Sequence, residues 1–560
     1  MAVDVSQGTA SLPYHEPGIV SILVLTSFLL FLNIINAALD TLLHCGLLGQ
    51  VLVGIAWGAP GAQWLAASLQ ESVVQLGYLG LILLVYEGMS FPPPACQDSA
   101  GTGGLSTSFP SLKANLLLFS AVALTGIALP IGLSYTLQGL LDATPVQAFA
   151  AGAALCSTSL GTTFTLLASS GLASSRLGVV LTSAAIMDDV VGLVMVQVIS
   201  NLGDDSFSWV TVARPVLVSI AFALVAPLLC LFVAKPVTAW LNSYREADPN
   251  APWNSLLQKS QTAFTIHTLI LIGLVTGAAY AGTSNLFAAY IAGAAISWWD
   301  SEVAHPIYPT SDASKHSRQL EPDKATHQTG GSDMYEHYYQ PAVSKILQPF
   351  FFASVGFSIP ITRMFRGAIV WRGLLYTILM AVGKLACGLW LVRLPAVSGP
   401  GTPRKLLSKV QLPSIPHLWG KSDHTQPTTE AGATPTQMRS RTSSTNATNA
   451  TNGDRRSSCN AQKPFSLHPP LILALAMCAR GEIGFLISGV AESRGVFSVD
   501  GKGTDEPTDM FLIVTWAIVL CTIMGPLGVE LAVRRVKKLE SRKDKQEHGA
   551  GRDVLGVWGV

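Results

Sequence analysis

The sequence predicts an all-α polytopic membrane protein with about thirteen transmembrane helices, counting about 20 apolar residues per crossing. Three observations carry that expectation. Only 12% of the 560 residues are Asp, Glu, Lys or Arg, against about 25% in soluble chains. The mean hydropathy is +0.42. The apolar residues make up 49% of the chain, a share that soluble domains approach, but here they fall in long uncharged runs.

Runs suited to a crossing lie near 18–39, 42–59, 70–88, 114–137, 146–169 and 174–200. Others follow near 212–234, 262–281, 284–299, 346–362, 368–394, 469–493 and 510–532. The tail 1–17 carries Asp4, His15 and Glu16 but no Lys or Arg, unlike a secretory or transit peptide, so the first run is expected to stay as a membrane helix. An odd number of crossings puts the termini on opposite sides of the bilayer. The basic tail 533–560, with Arg534, Arg535, Lys537 and Lys538, is then cytoplasmic and the N-terminus outside. The same topology puts Lys235, Arg245 and Lys259 inside and Asp204 with Asp205 outside, as the positive-inside rule prefers.

The membrane domain divides into 18–395 and 468–532, with hydrophilic stretches at 301–345 and 396–467 expected to be disordered and cytoplasmic. The second stretch holds glycosylation tripeptides at Asn446 and Asn449, which that placement leaves unmodified. Its basic, serine-rich part, Arg439 to Ser458, offers phosphorylation sites. The insertion 89–104 breaks from an apolar helix at Pro92–Pro94, which cannot continue it. It is either a loop insertion or a piece absent from the working protein. Of the eight cysteines, Cys45, Cys156, Cys230, Cys387, Cys478 and Cys521 sit in apolar runs without zinc-ligand or disulfide spacing. The net charge of +1 gives no footprint for nucleic acid.

Ionisable side chains inside a span cost about 2.5–3.5 kcal/mol each on insertion scales, so those present mark function. Asp188 and Asp189 lie in TSAAIMDDVVGLVMV, Lys384 in LMAVGKLACGLW, and Arg480 with Glu482 in AMCARGEIGFLIS; Glu87 ends its span. Successive helical residues point about 100° apart, so one aspartate can pair with Lys384 while the other takes a proton or a small cation, Na+ or K+. Two carboxylates with one lysine leave a surplus negative charge that a purely structural site has little reason to keep. The span ALCSTSLGTTFTLLASSG has hydroxyls and glycine where a lipid-facing helix carries Leu and Ile. That composition suits an unwound segment with oxygen ligands, or close packing through small residues. Arg480 and Glu482, two apart, face different sides of a regular helix. His267 is a core histidine or a pH sensor.

Taken in order, CSTSLGTTF, AIMDDVVGLV, QPFFFASVGFSIP, VGKLACG and CARGEIGFLISG resemble the monovalent cation/proton antiporter superfamily, in the branch typified by bacterial electrogenic sodium/proton antiporters. The resemblance implies an inverted-repeat fold with two broken, crossed helices, a core that moves as an elevator against a dimerisation domain, and a homodimer. Asp189 then corresponds to the ion-binding carboxylate and Asp188 to the partner of Lys384. Thr158 and Ser159 match the cation-site hydroxyls, and Arg480 with Glu482 matches a charged pair on the second broken helix. An aspartate pair with the lysine resembles electrogenic members, implying more than one proton per cation. The expected cargo is Na+ and/or K+ exchanged for protons in the service of pH homeostasis, with no cofactor, in a plasma or organelle membrane. K+-selective exchange and a non-transporting sensor on the same fold are the alternatives. A channel would spread its polar residues along a pore. An intramembrane aspartyl protease, the enzyme reading, needs aspartates facing each other across two elements, which adjacent residues cannot provide.

Overall fold

The computed structural model describes residues 16–43, 45–90, 109–159, 171–172, 175–203, 209–247, 260–302, 331–392, 467–498 and 507–544. Nearly all of these are helical, with no strand among them. Among the described residues eight helices are long and apolar enough to cross a membrane; shorter pieces complete the bundle, and the expected total of about thirteen is not fixed by these helices. Nearly all of 396–467, including Asn446 and Asn449, lies outside the described residues, as do 160–170 and all but the first residues of 89–104.

In chain order the main helices are α1 (Ile19–Leu43), α2 (Gly46–Trp57), α3 (Ala67–Ser90), α4 (Phe109–Ser134), α5 (Pro145–Ala154), α6 (Arg176–Leu202), α7 (Trp209–Leu229) and α8 (Ser260–Ala281). After them come α9 (Asn285–Glu302), α10 (Gly331–Tyr338), α11 (Gln348–Phe357), α12 (Gly367–Leu385), α13 (His468–Ala476), α14 (Glu482–Ser493) and α15 (Asp509–Asp544). They pack as two groups. In one, α4 meets α5, α6 and α12, while α14 lies on α5 and α6 and α15 on α12 and α13. In the other, α2 is flanked by α1 and α11, α3 by α9 and α11, and α8 by α9. The helix α7 bridges α6 and α9, and the groups meet directly where α6 touches α9 and α14 touches α11. Leu23 and Leu30 of α1, Leu217 and Leu224 of α7 and Ile272 of α8 are exposed, as suits side chains that face lipid rather than water.

Several helices depart from the hydropathy boundaries for identifiable reasons. Past α7 the chain goes through a π-helical turn, Cys230–Ala234, into a further helix, Lys235–Ala247. Pro236 cannot donate the next backbone bond, and Lys235 N–H reaches back to the Cys230 carbonyl instead. The same device recurs at Val343–Leu347, just before Pro349. The expected span 346–362 in fact continues a helical path that begins at Gly331, within the stretch read as a hydrophilic loop. It is held there by contacts hydropathy does not register: Met334 and Tyr335 are buried, and Tyr335 donates to Glu87 Oε2 at 2.9 Å.

The second group is drawn together backbone to backbone. A Cβ on Gly54 of α2 would collide with the Ala353 carbonyl of α11, and one on Gly356 would collide with the Val51 carbonyl. Gly54→Leu is therefore expected to split α2 from α11, at a cost of about 1–3 kcal/mol or more. It would be read as loss of a monodisperse peak after detergent extraction; an unchanged melting profile would contradict it.

Candidate functional site

The span expected near 146–169 starts with a capping box: Thr144 accepts the Gln147 N–H while Gln147 accepts the Thr144 N–H, and Pro145 sits where no donor is needed. It unwinds at Leu155. The expected span 469–493 is broken: α13 ends at Ala476, and Met477–Gly481 pass without helix before α14 begins at Glu482. The two unwound stretches touch through their main chains, Ser159 N–H donating to the Ala479 carbonyl at 3.0 Å. They can do so because Gly481 has no side chain; a Cβ there would lie 2.8 Å from Ser159 Oγ.

Unwinding leaves carbonyls without helical partners, in a region where each unmet group is costly. Charged and hydroxyl side chains meet them. Lys384, near the end of α12, donates to the Cys156 carbonyl at 2.6 Å. Arg480 Nη1 donates to the Ser157 carbonyl at 2.6 Å, and Thr522 of α15 donates to the Arg480 carbonyl at 3.0 Å. Both cations thus sit beside carbonyls that follow α5, and Arg480 also lies just past α13, where a positive charge is favoured. Glu482 occupies the first turn of α14, the end that favours a negative one. Among the described residues no ion pair joins Arg480 to Glu482, as their spacing leads one to expect.

Asp188 and Asp189 project from the middle of α6, both buried. Asp188 pairs with Lys384, Nζ to Oδ2 at 2.6 Å, with neither side chain exposed at all. Thr158 completes a triangle, donating to Asp188 Oδ2 at 2.9 Å and accepting from Lys384 at 3.0 Å. Asp188 Oδ1 has no donor among the described residues. Asp189 points differently: its carboxylate accepts the Thr158 backbone N–H, and its acidic neighbours are Glu482 and Asp188. Thr158 therefore serves one aspartate with its hydroxyl and the other with its main chain. Room for the pair comes from Gly126 of α4, where a Cβ would stand 3.2 Å from Lys384 Nζ and 3.3 Å from Asp188 Oδ2.

The residues assigned to the site in the sequence, Asp188, Asp189, Thr158, Ser159, Lys384, Arg480 and Glu482, gather at this crossing, whereas Glu87 on α3 and His267 on α8 lie in the other helix group. Sequence reasoning did not find Gly126, Thr522 or the carbonyls of Cys156 and Ser157. A hydroxyl in an apolar span is a weak signal, and a carbonyl gives none. Thr158→Val keeps the shape but removes the hydroxyl shared by Lys384 and Asp188. The expected cost is about 1–3 kcal/mol, seen as a lower melting temperature with the fold retained; a variant as stable as wild type would contradict this account.

Comparison with known proteins points the same way. The family model described as "Sodium/hydrogen exchanger, transmembrane" matches residues 22–413. GerN of Bacillus cereus, described as a Na+/H+-K+ antiporter, is 24% identical over 343 residues, covering 61% of this chain and 72% of its own. NhaS3 of Synechocystis sp., described as a high-affinity Na+/H+ antiporter, is 29% identical over 155 residues, 27% of this chain and 30% of its own. The solved structure of the sodium proton antiporter MjNhaP1 from Methanocaldococcus jannaschii aligns over 93% of this chain and 98% of its own, with a TM-score of 0.50 and 14% identity. That likeness shows the fold alone.

Proposed function

Since this chain belongs to the sodium/hydrogen exchanger family of transmembrane proteins, we propose that it exchanges Na+ and/or K+ for protons, with cation and proton competing for the Asp188–Asp189 pair. The observation that carries this reading is the division of labour on α6. Asp188 is held by Lys384 and Thr158, while Asp189 is buried with a backbone donor and acidic neighbours but, among the described residues, no cationic side chain bonded to it. A carboxylate so placed has to recruit a positive charge, and a proton or a desolvated alkali ion can each supply it. Holding both at once is disfavoured, and that exclusion couples their movements. Release of the proton shared across the Asp188–Lys384 pair adds to the exchange, giving more than one proton per cation.

Two helix groups that meet along α6–α9 and α11–α14 suit alternating access in which the group bearing the crossing moves as an elevator against the other, within a homodimer. K+ stands beside Na+ in the proposal because GerN, whose description names both, is among the relatives. The service is pH or alkali-ion homeostasis in the host membrane.

The test is proton movement in proteoliposomes with a pH-sensitive dye inside, on addition of Na+, K+, Li+ or choline. Dye response to one or more alkali ions and none to choline is expected. A folded wild-type protein that answers no cation would sink the antiport reading and leave the sensor alternative.

A further inference from the structure

We propose that Pro130 is a positioning residue for exchange: it leaves the Gly126 carbonyl of α4 without a helical donor, and that carbonyl receives the Lys384 ammonium when an alkali ion draws Asp188 away from it. The inference rests on the antiport reading above and adds a backbone acceptor to the same site.

Pro130 lies inside α4. Having no N–H, it cannot give the carbonyl four residues back, that of Gly126, the bond that a regular helical position supplies. Val122, Gly126 and Pro130 are all buried and share one face of α4, which meets α12. Cys387, just past α12, donates its Sγ hydrogen to the Val122 carbonyl at 3.6 Å, and a Cβ on Gly383 of α12 would lie 3.6 Å from the Pro130 nitrogen. The Pro130 carbonyl accepts the Ser134 hydroxyl at 2.7 Å. Among the described residues no side chain donates to the carbonyl of Gly126, which lies between these two. Lys384 is on the same seam: a Cβ on Gly126 would stand 3.2 Å from its Nζ, so the Gly126 peptide borders the ammonium.

Lys384 directs its three N–H bonds at Asp188 Oδ2, the Cys156 carbonyl and Thr158 Oγ1. An alkali ion on the aspartates takes over the charge that Asp188 offers the lysine. One N–H is then without an acceptor, in a site where that is costly. The Gly126 carbonyl, beside Nζ and with no helical bond to give up, takes it. Being neutral, this oxygen accepts from –NH3+ and –NH2 alike, and so holds the lysine before and after the shared proton leaves.

Pro130→Ala gives the Gly126 carbonyl a helical N–H and leaves every charged group in place. In the proteoliposome assay it is expected to raise the apparent cation KM about three- to tenfold, the worth of one hydrogen bond, while kcat stays within about twofold of wild type. Its melting temperature should hold or rise, since alanine suits a helix better than proline. Pro130→Gly supplies the same N–H but keeps the helix easy to bend, and is expected to raise KM equally. Pro227→Ala, the same change at an exposed position inside α7, serves as the control and is expected to leave KM within about twofold. Cation-dependent thermal stabilisation in detergent reads the same shift without turnover. An unchanged KM and unchanged cation stabilisation in Pro130→Ala overturn the proposal, as does an equal rise in Pro227→Ala. A rise in Pro130→Ala that Pro130→Gly lacks also overturns it, because the bend and not the donor is then the cause. With wild type active and Asp189→Asn silent, such a result removes the role of Pro130 and leaves antiport standing; a silent wild type removes both.

Discussion

Asp189→Asn is expected to abolish cation-driven proton flux, a fall of at least about a hundredfold, in a protein that still folds. Asparagine has nearly the same shape, and its carbonyl oxygen can still accept the Thr158 N–H that the carboxylate accepts now. It can neither titrate nor carry charge. The packing around α6 is therefore kept, while the group proposed to take proton and cation in turn is lost. Melting temperature should hold or rise slightly, because a buried charge no longer has to be kept from water. The assay pairs dye response in proteoliposomes with a thermal melt of the same preparation. Flux at wild-type level in a variant of wild-type stability would remove Asp189 from the mechanism.

The second large effect is expected from Lys384→Met, and it is one of stability. The Lys384 ammonium has no solvent exposure and meets three acceptors: Asp188 Oδ2, the Cys156 carbonyl and Thr158 Oγ1. Methionine fills a similar volume and leaves the Asp188 carboxylate buried without its counter-charge. Breaking a buried pair from one side costs about 3–5 kcal/mol, unless the acid takes up a proton and stays neutral. The double variant Lys384→Met with Asp188→Asn removes both charges and is expected to regain most of the loss. The measurement is a double-mutant cycle of thermal unfolding in detergent. A single variant as stable as wild type, or a double variant no better than the single, would show that the pair does not hold the crossing together.

Much of the fold could be read from the letters because lipid imposes one rule on every span: long apolar runs must be helices. The break in the second crossed helix was foreseeable from Gly481 between two charges. What hydropathy missed were ends governed by something other than lipid. The helix Lys235–Ala247 continues past the apolar run with Trp240 and Tyr244 stacked along it. The helix from Gly331 is fixed by tyrosine contacts to Glu87 and to Thr268, whose hydroxyl lies 2.6 Å from that of Tyr339. At the site, side chains that cost energy in a membrane stood out, so Asp188, Asp189 and Lys384 were visible. Their supports were not: the Cys156 and Ser157 carbonyls become acceptors only because the chain unwinds there, and Gly126 matters only for the side chain it lacks.

The tie between Ser159 and Ala479 has a mechanical consequence. Lysine from α12, arginine from the gap between α13 and α14, and threonine from α15 are all fastened to the same few peptide groups. None of these segments can be withdrawn without leaving a bare carbonyl in oil, so they share one fate. In the elevator motion proposed above, the knot would therefore travel as a closed vessel, its cargo reaching another surface without its walls being opened.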